Sequence, residues 1–305
     1  MTHTNQNRGA LHKKSLIKIA VILLLTLSSG CSVLQLGYDH GRYLAWWWMN
    51  SYVDFSRAQK PHVKQAIHQW FGWHRNAQLP EYAAWLSTVR GQINDPLTPA
   101  QICRWSEELQ DMVAPALDYA VHLSVPVVLS LDEAQVRHLE RRYIKSNNKL
   151  RKKYLQPNHQ DRLNASIKRT VKRIENFYGD IDEEQRNFIN ASIENSPFNP
   201  DAWLSERRRR QQVTLSTLRQ LVTGSMSAEQ AATELRKLLE HTYRSDDPQY
   251  RTYQMEINEY SCHFIAQMHN TATSHQRQHL HDKLKSWEDD LRVLTGDYQV
   301  YSAIE

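Results

Sequence analysis

Glycine is scarce in this chain. There are nine in 305 residues, and none falls between Gly91 and Gly179. That is well below ordinary usage, and it excludes glycine-rich phosphate loops as well as hairpins built on Asn-Gly or Asp-Gly. Cysteine is sparser still, at Cys31, Cys103 and Cys262 alone. No CxxC pair occurs, so neither a thioredoxin-type motif nor a zinc ribbon is available. A GxSxG nucleophile elbow and an HExxH zinc helix are also missing. Strand signal is confined to SVPVVLSL at 124–131, which reads as a strand or a linker. Elsewhere apolar residues recur at helical spacing, as in Val136, Leu139, Tyr143, Leu150 and Tyr154. The expected fold class is all-α.

What is present begins with an address. Residues 1–18 carry Arg8, Lys13, Lys14 and Lys18 and no acid, and an apolar run follows from Ile19 to Leu27. The run is too short for a bilayer span, which takes about 20 apolar residues, and has the form of a secretory signal peptide. It ends in LSSGC, Leu27 to Cys31. Here the chain resembles bacterial lipoprotein precursors, with Ser28 standing where Leu, Val or Ile is usual. The resemblance implies cleavage after residue 30, acylation of Cys31 and attachment of the chain to a lipid bilayer. Ser32, rather than Asp, follows the cysteine, which by the same resemblance implies the outer membrane with the body in the periplasm. Such a compartment permits a disulfide between Cys103 and Cys262 without requiring one.

The body, 31–305, has room for one large domain or for two subdomains meeting near 124–131 or 195–200. Its clearest internal signal is a recurring helix start: SRAQ at Ser56, TPAQ at Thr98, DEAQ at Asp132, DEEQ at Asp182 and SAEQ at Ser227. Each is a capping box, in which the first side chain accepts from a backbone N–H and the glutamine reaches back to the cap. Asn199-Pro200-Asp201 is a sixth start, and Gly224 a stop for its helix. The intervals between boxes are uneven, which favours a bundle of helical hairpins over a strict repeat array. YVDF (52–55), WHRNAQLPEYAAWL (73–86), the capping boxes, NNKLRKKYL (147–155) and WLSERRRRQQ (203–212) together resemble a family of bacterial lipoproteins known as domain of unknown function 6279. That resemblance implies an all-helical exported lipoprotein and supplies no activity and no catalytic residues.

Charge is unevenly distributed. Thirteen Lys and Arg lie between Arg137 and Arg173 against only Glu140 and Asp161, and Arg207 to Arg210 form a second cluster. Such fields attract anions; equally, they solvate helix faces and pair with acids elsewhere. In a periplasm the polyanions are lipopolysaccharide, lipid head groups and wall polymers, so an anionic envelope polymer or an envelope protein is the expected partner and nucleic acid is not. Asn147 falls on an apolar helical stripe, with Arg151 one turn on, as a buried polar group or a pocket floor does. Trp203, Arg207 and Arg210 share a helix face at cation–π spacing. His74 and Arg75 have the chemistry for proton transfer or anion binding, but a general base also needs a carboxylate and a pocket. His275 and His279 are spaced like a zinc pair without a third ligand.

Three consecutive tryptophans, Trp46, Trp47 and Trp48, complete the set. On a helix Tyr43, Trp46, Met49 and Val53 make one stripe, and Leu44, Trp48, Tyr52 and Phe55 make another nearly opposite, with Trp47 between them. One core cannot cover both stripes. Either the helix is sandwiched, or one stripe meets the membrane, whose head-group region favours tryptophan. The expectation from sequence is therefore a membrane-tethered binding or scaffolding module with no cofactor and no assigned catalytic residue. The competing reading is a metal-assisted envelope hydrolase using the 269–281 histidines.

Overall fold

The computed structural model describes residues 33–302 apart from 225, so Cys31 and the signal segment lie outside it. Among the described residues there are twelve helices and no strand. A short helix, α1 (Val33–Asp39), belongs to a first unit that ends at Gly41. The remaining eleven belong to one compact unit beginning at Arg42: α2 (Gly41–Val53), α3 (Gln59–Ala77), α4 (Leu79–Gln92), α5 (Pro99–Leu129), α6 (Glu133–Tyr154), α7 (His159–Tyr178), α8 (Glu183–Glu194), α9 (Pro200–Thr223), α10 (Ala228–Tyr243), α11 (Pro248–Asn270) and α12 (Ser274–Ser302).

All five capping boxes form. Thr98, Asp132, Asp182 and Ser227 each cap a helix with both reciprocal bonds in place. Ser56 makes the same pair of bonds with Gln59 just ahead of α3. A sixth box, Thr273 with Gln276, starts α12. Asn199 caps α9 through the backbone N–H groups of Asp201 and Ala202. Gly224 ends α9 as expected, though not by a left-handed turn: a Cβ there would lie 2.7 Å from the Gln220 carbonyl oxygen.

The stretch SVPVVLSL is not a strand. Residues 124–129 are the last turns of α5, and a turn follows at Ser130. Valine favours strands by propensity, but tertiary burial overrides that preference: Val121 and Val125 are buried, and Val125 packs with Leu221 and Ala231. By length and composition α5 is the one helix among the described residues that could cross a membrane. It lies instead against α3, α10 and α11.

The helices fall into two repeats with the same order of capping boxes, the second having one helix more. In the first, α2 leads to the Ser56 box, α3 and α4 to the Thr98 box, α5 to the Asp132 box and then α6. In the second, α7 leads to the Asp182 box, α8 and α9 to the Ser227 box, α10 and α11 to the Thr273 box and then α12. Matching residues follow. Tyr52, Asp54 and Gln59 correspond to Tyr178, Asp180 and Gln185, DYAVHL (118–123) to EYSCHF (259–264), and QVRHL (135–139) to QRQHL (276–280). Core positions match too, with Val63 and Ile189 almost wholly buried and Leu139 and Leu280 also buried. The last helix of each repeat packs on the other repeat: α12 runs along α4, and α6 runs along α9. A disulfide between Cys103 of α5 and Cys262 of α11, Cα atoms 5.5 Å apart, ties the repeats together.

Candidate functional site

The most elaborate polar geometry joins helix starts. Gln59 Nε2 donates to the Ser130 carbonyl (2.6 Å) and to Gln135 Oε1 (3.2 Å), while Gln135 Nε2 donates to Gln59 Oε1 (2.7 Å) and to the Asp54 carbonyl (3.1 Å). The second repeat reproduces all four bonds: Gln185 with the Thr271 carbonyl and Gln276, and Gln276 with Gln185 and the Asp180 carbonyl. His138 meets the Ser51 carbonyl and His279 the corresponding Phe177 carbonyl. Four buried glutamines thus each serve their own cap and one another. They are structural knots, since a buried amide must find its full set of partners.

Asn147 is both of the things its position suggested. It is buried, donates to Gln211 Oε1 at 2.7 Å and accepts from Arg207 Nε at 3.1 Å. It also lines a cavity of about 230 Å³ with Glu140, Tyr143, Arg208 and Gln212. Its counterpart in the second repeat is Glu288, likewise buried, which accepts from Arg90 Nε at 3.2 Å and from Arg292. Position 147 thus carries an amide where position 288 carries a carboxylate, and each meets an arginine of the other repeat. Arg151 stays exposed at the end of α6.

The expected stacking of Trp203 with the α9 arginines is not what forms. Trp203 meets Tyr154 edge-on at 5.4 Å, Arg207 turns to Asn147, and Arg210 reaches Glu206 and lies over the Tyr250 ring at 5.7 Å. Helical spacing places residues on one face without deciding which neighbour each finds. Within this cluster Glu206 is the organising group. It is 5 % exposed and accepts from Arg209, Arg210 and Ser245 at 2.6–2.7 Å. Burial pushes its carboxyl up, but the bonds from Arg209, Ser245 and Arg210 prevail and hold it at about 2. Arg209 also pairs with Asp246. Two of the four clustered arginines are thus neutralised from within.

His74 is a packing residue. Its ring stacks on Trp70 at 4.4 Å and meets Tyr82 edge-on at 5.6 Å, and burial lowers its pKa to about 4. Arg75 sits beside it, half-buried, in the last turn of α3. Neither shares a cavity with Asn147 or Arg207. His275 is exposed, and His279 is held by the Phe177 carbonyl at 3.0 Å. Among the described residues no group of three or more His, Cys, Asp or Glu is gathered as a metal site would be.

The tryptophans divide. Trp46 faces inward, stacked on Phe55 at 6.0 Å and covered by Lys64, and packs with Met49, Val53, Val63 and Ile67. Phe55 and α3 claim its ring, which turns it away from the outer face of α2. Trp47 and Trp48 face outward with Tyr43 and Leu44. Tyr52 continues this surface toward α6, 4.8 Å from Trp48 and 6.4 Å from Tyr143, with Arg142 over its ring. On α6 itself Arg141, Lys145, Lys149 and Lys152 surround the exposed Ile144.

The fold and these arrangements define an all-helical protein of two exchanged repeats, bridged by a disulfide and organised around buried amide pairs. The chain belongs to the Family of unknown function (DUF6279), whose model matches residues 51–251. No curated protein and no solved structure matches it.

Proposed function

We propose that the protein is a lipid-tethered, non-catalytic binding or scaffolding module of the bacterial envelope, acylated at Cys31 and held at the outer membrane with its body in the periplasm. The Cys103–Cys262 bridge is the observation that carries this reading. A disulfide between two core helices belongs to an oxidising compartment, where the signal segment would deliver the chain. The side chains best suited to chemistry support a binding role rather than catalysis, because His74, Glu206 and His279 are each held in packing or hydrogen bonds. A surface suited to a ligand is the strip of Arg141, Lys145, Lys149 and Lys152 on α6, whose charge suits an anionic envelope polymer.

Metabolic labelling with a palmitate analogue tests the tether: incorporation is expected in the wild type and absent in Cys31→Ala. Binding of lipopolysaccharide to the α6 strip should weaken at least tenfold in Lys145→Glu/Lys149→Glu/Lys152→Glu and fall with salt. Unchanged binding in that variant would remove the strip from the proposal.

A further inference from the structure

We infer that the outer face of α2, formed by Tyr43, Leu44, Trp47 and Trp48, is a docking surface for the phospholipid leaflet, seated in its head-group region. This rests on the tether proposed above and adds the orientation of the body. The four side chains are 69 %, 52 %, 63 % and 57 % exposed, an unusually large apolar area for one helix turn and a half.

The second repeat acts as an internal control. With Tyr52 matched to Tyr178, the positions of Tyr43, Trp47 and Trp48 are occupied in α7 by Arg169, Arg173 and Ile174. Arg173 is exposed and solvated, whereas Ile174 is buried in the main core. The fold itself therefore asks for a charge at one of these positions and a covered aliphatic at the other. The first repeat has exposed indoles at both, so another surface is needed to cover them.

Three observations select a lipid leaflet. Trp and Tyr are the side chains that partition to the head-group region, with an apolar ring and a polar edge. The helix carries no acid, and at the edge of this face Arg142 lies over Tyr52. That cation suits a lipid phosphate. Cys31 is only about ten residues before Gly41, so an acylated cysteine would keep α2 within roughly 35 Å of the leaflet even through fully extended chain. One acyl-bearing residue plus an aromatic and basic surface is a two-signal attachment.

The test uses the full-length acylated protein in phosphatidylethanolamine–phosphatidylglycerol vesicles, with part of the lipid brominated near the head group. Flotation reports the tether and tryptophan quenching reports docking. Quenching is expected in the wild type and should fall by more than half in Trp47→Ser/Trp48→Ser, with melting temperature unchanged. Trp47→Arg, copied from Arg173, should fold normally and lose part of the quenching. Protein that floats but is quenched equally in wild type and double variant overturns the surface, as does a detergent-stable dimer lost in the double variant without any quenching in the wild type. Protein that fails to float yet shows variant-sensitive quenching supports the surface and removes the tether.

Discussion

Gln59 and Gln135 hydrogen-bond each other while each still closes the capping box of its own helix. Gln185 and Gln276 repeat the arrangement. In each repeat, then, the starts of two helices distant in sequence are fixed to one another by a single pair of amides.

Loss of one member should cost more than loss of a simple cap. Gln135→Ala or Gln276→Ala removes the box and strands buried partners, an expected cost of about 2–4 kcal/mol. Gln101→Ala and Gln230→Ala, whose boxes are exposed, should cost about 0.5–1 kcal/mol. Urea denaturation of these four variants checks the contrast. A double-mutant cycle on Gln59 and Gln135 should give a coupling above about 1 kcal/mol; additivity would mean the cross-bonds contribute nothing.

The correspondence between Asn147 and Glu288 makes its own forecast. Asn147→Glu places a carboxylate against Arg207, as Glu288 lies against Arg90, and the adjacent cavity has space for the added methylene. The variant should retain stability to within about 1 kcal/mol, where a carboxylate buried without a partner would cost several. Asn147→Leu removes the partner of Gln211 and of Arg207 Nε, leaving Arg207 only its bond to Ser146, and should lose about 2–3 kcal/mol. Thermal melts of both variants decide it, and equal destabilisation would break the correspondence.

Acid should weaken the fold in a defined window. Burial keeps the His74 ring neutral in the folded state down to about 4, whereas the unfolded chain takes up that proton below about 6.5. The unfolded state therefore binds more protons between these values, so stability is full above pH 6.5 and declines as pH falls toward 4. Burial of His269 acts in the same direction. His74→Phe keeps the stacked ring without the titration and should flatten the fall in melting temperature between pH 6.5 and 4.5. An unchanged slope would place the titrating group elsewhere.

Reduction should be costly, since the Cys103–Cys262 bridge closes 159 residues of chain. The loop-entropy relation gives about 5 kcal/mol for such a loop. Dithiothreitol and Cys103→Ala/Cys262→Ala should shift the urea midpoint downward by similar amounts. A bridge that is absent in the native protein would give no shift with the reductant.

Much of the helical order was legible because a capping box is a local device, readable at Thr98, Asp132, Asp182 and Ser227 without knowing what the helix packs on. The two-fold repetition was also present in DYAVHL and EYSCHF. It was hidden because the Thr98-to-Asp132 interval holds one helix and the Ser227-to-Thr273 interval holds two, broken at Pro248. Asn147 stood out as a polar residue on an apolar stripe. Glu206 did not, because among four arginines an acid reads as surface charge, and only packing reveals that Ser245 and α11 close over it. The strand-like reading of 124–131 failed for the converse reason, as burial on several sides makes a valine-rich helix resemble a strand.

The exchange of α6 and α12 bears on how such a chain could arise and be divided. Two identical copies of one five-element ancestor, each lending its final helix to its neighbour, would form a closed symmetric dimer. Joining them end to end through 155–158 would give the present order of helices. Neither half would then be a self-sufficient folding unit. A chain cut at that junction should survive as two interlocked fragments, each completing the groove that the other leaves open.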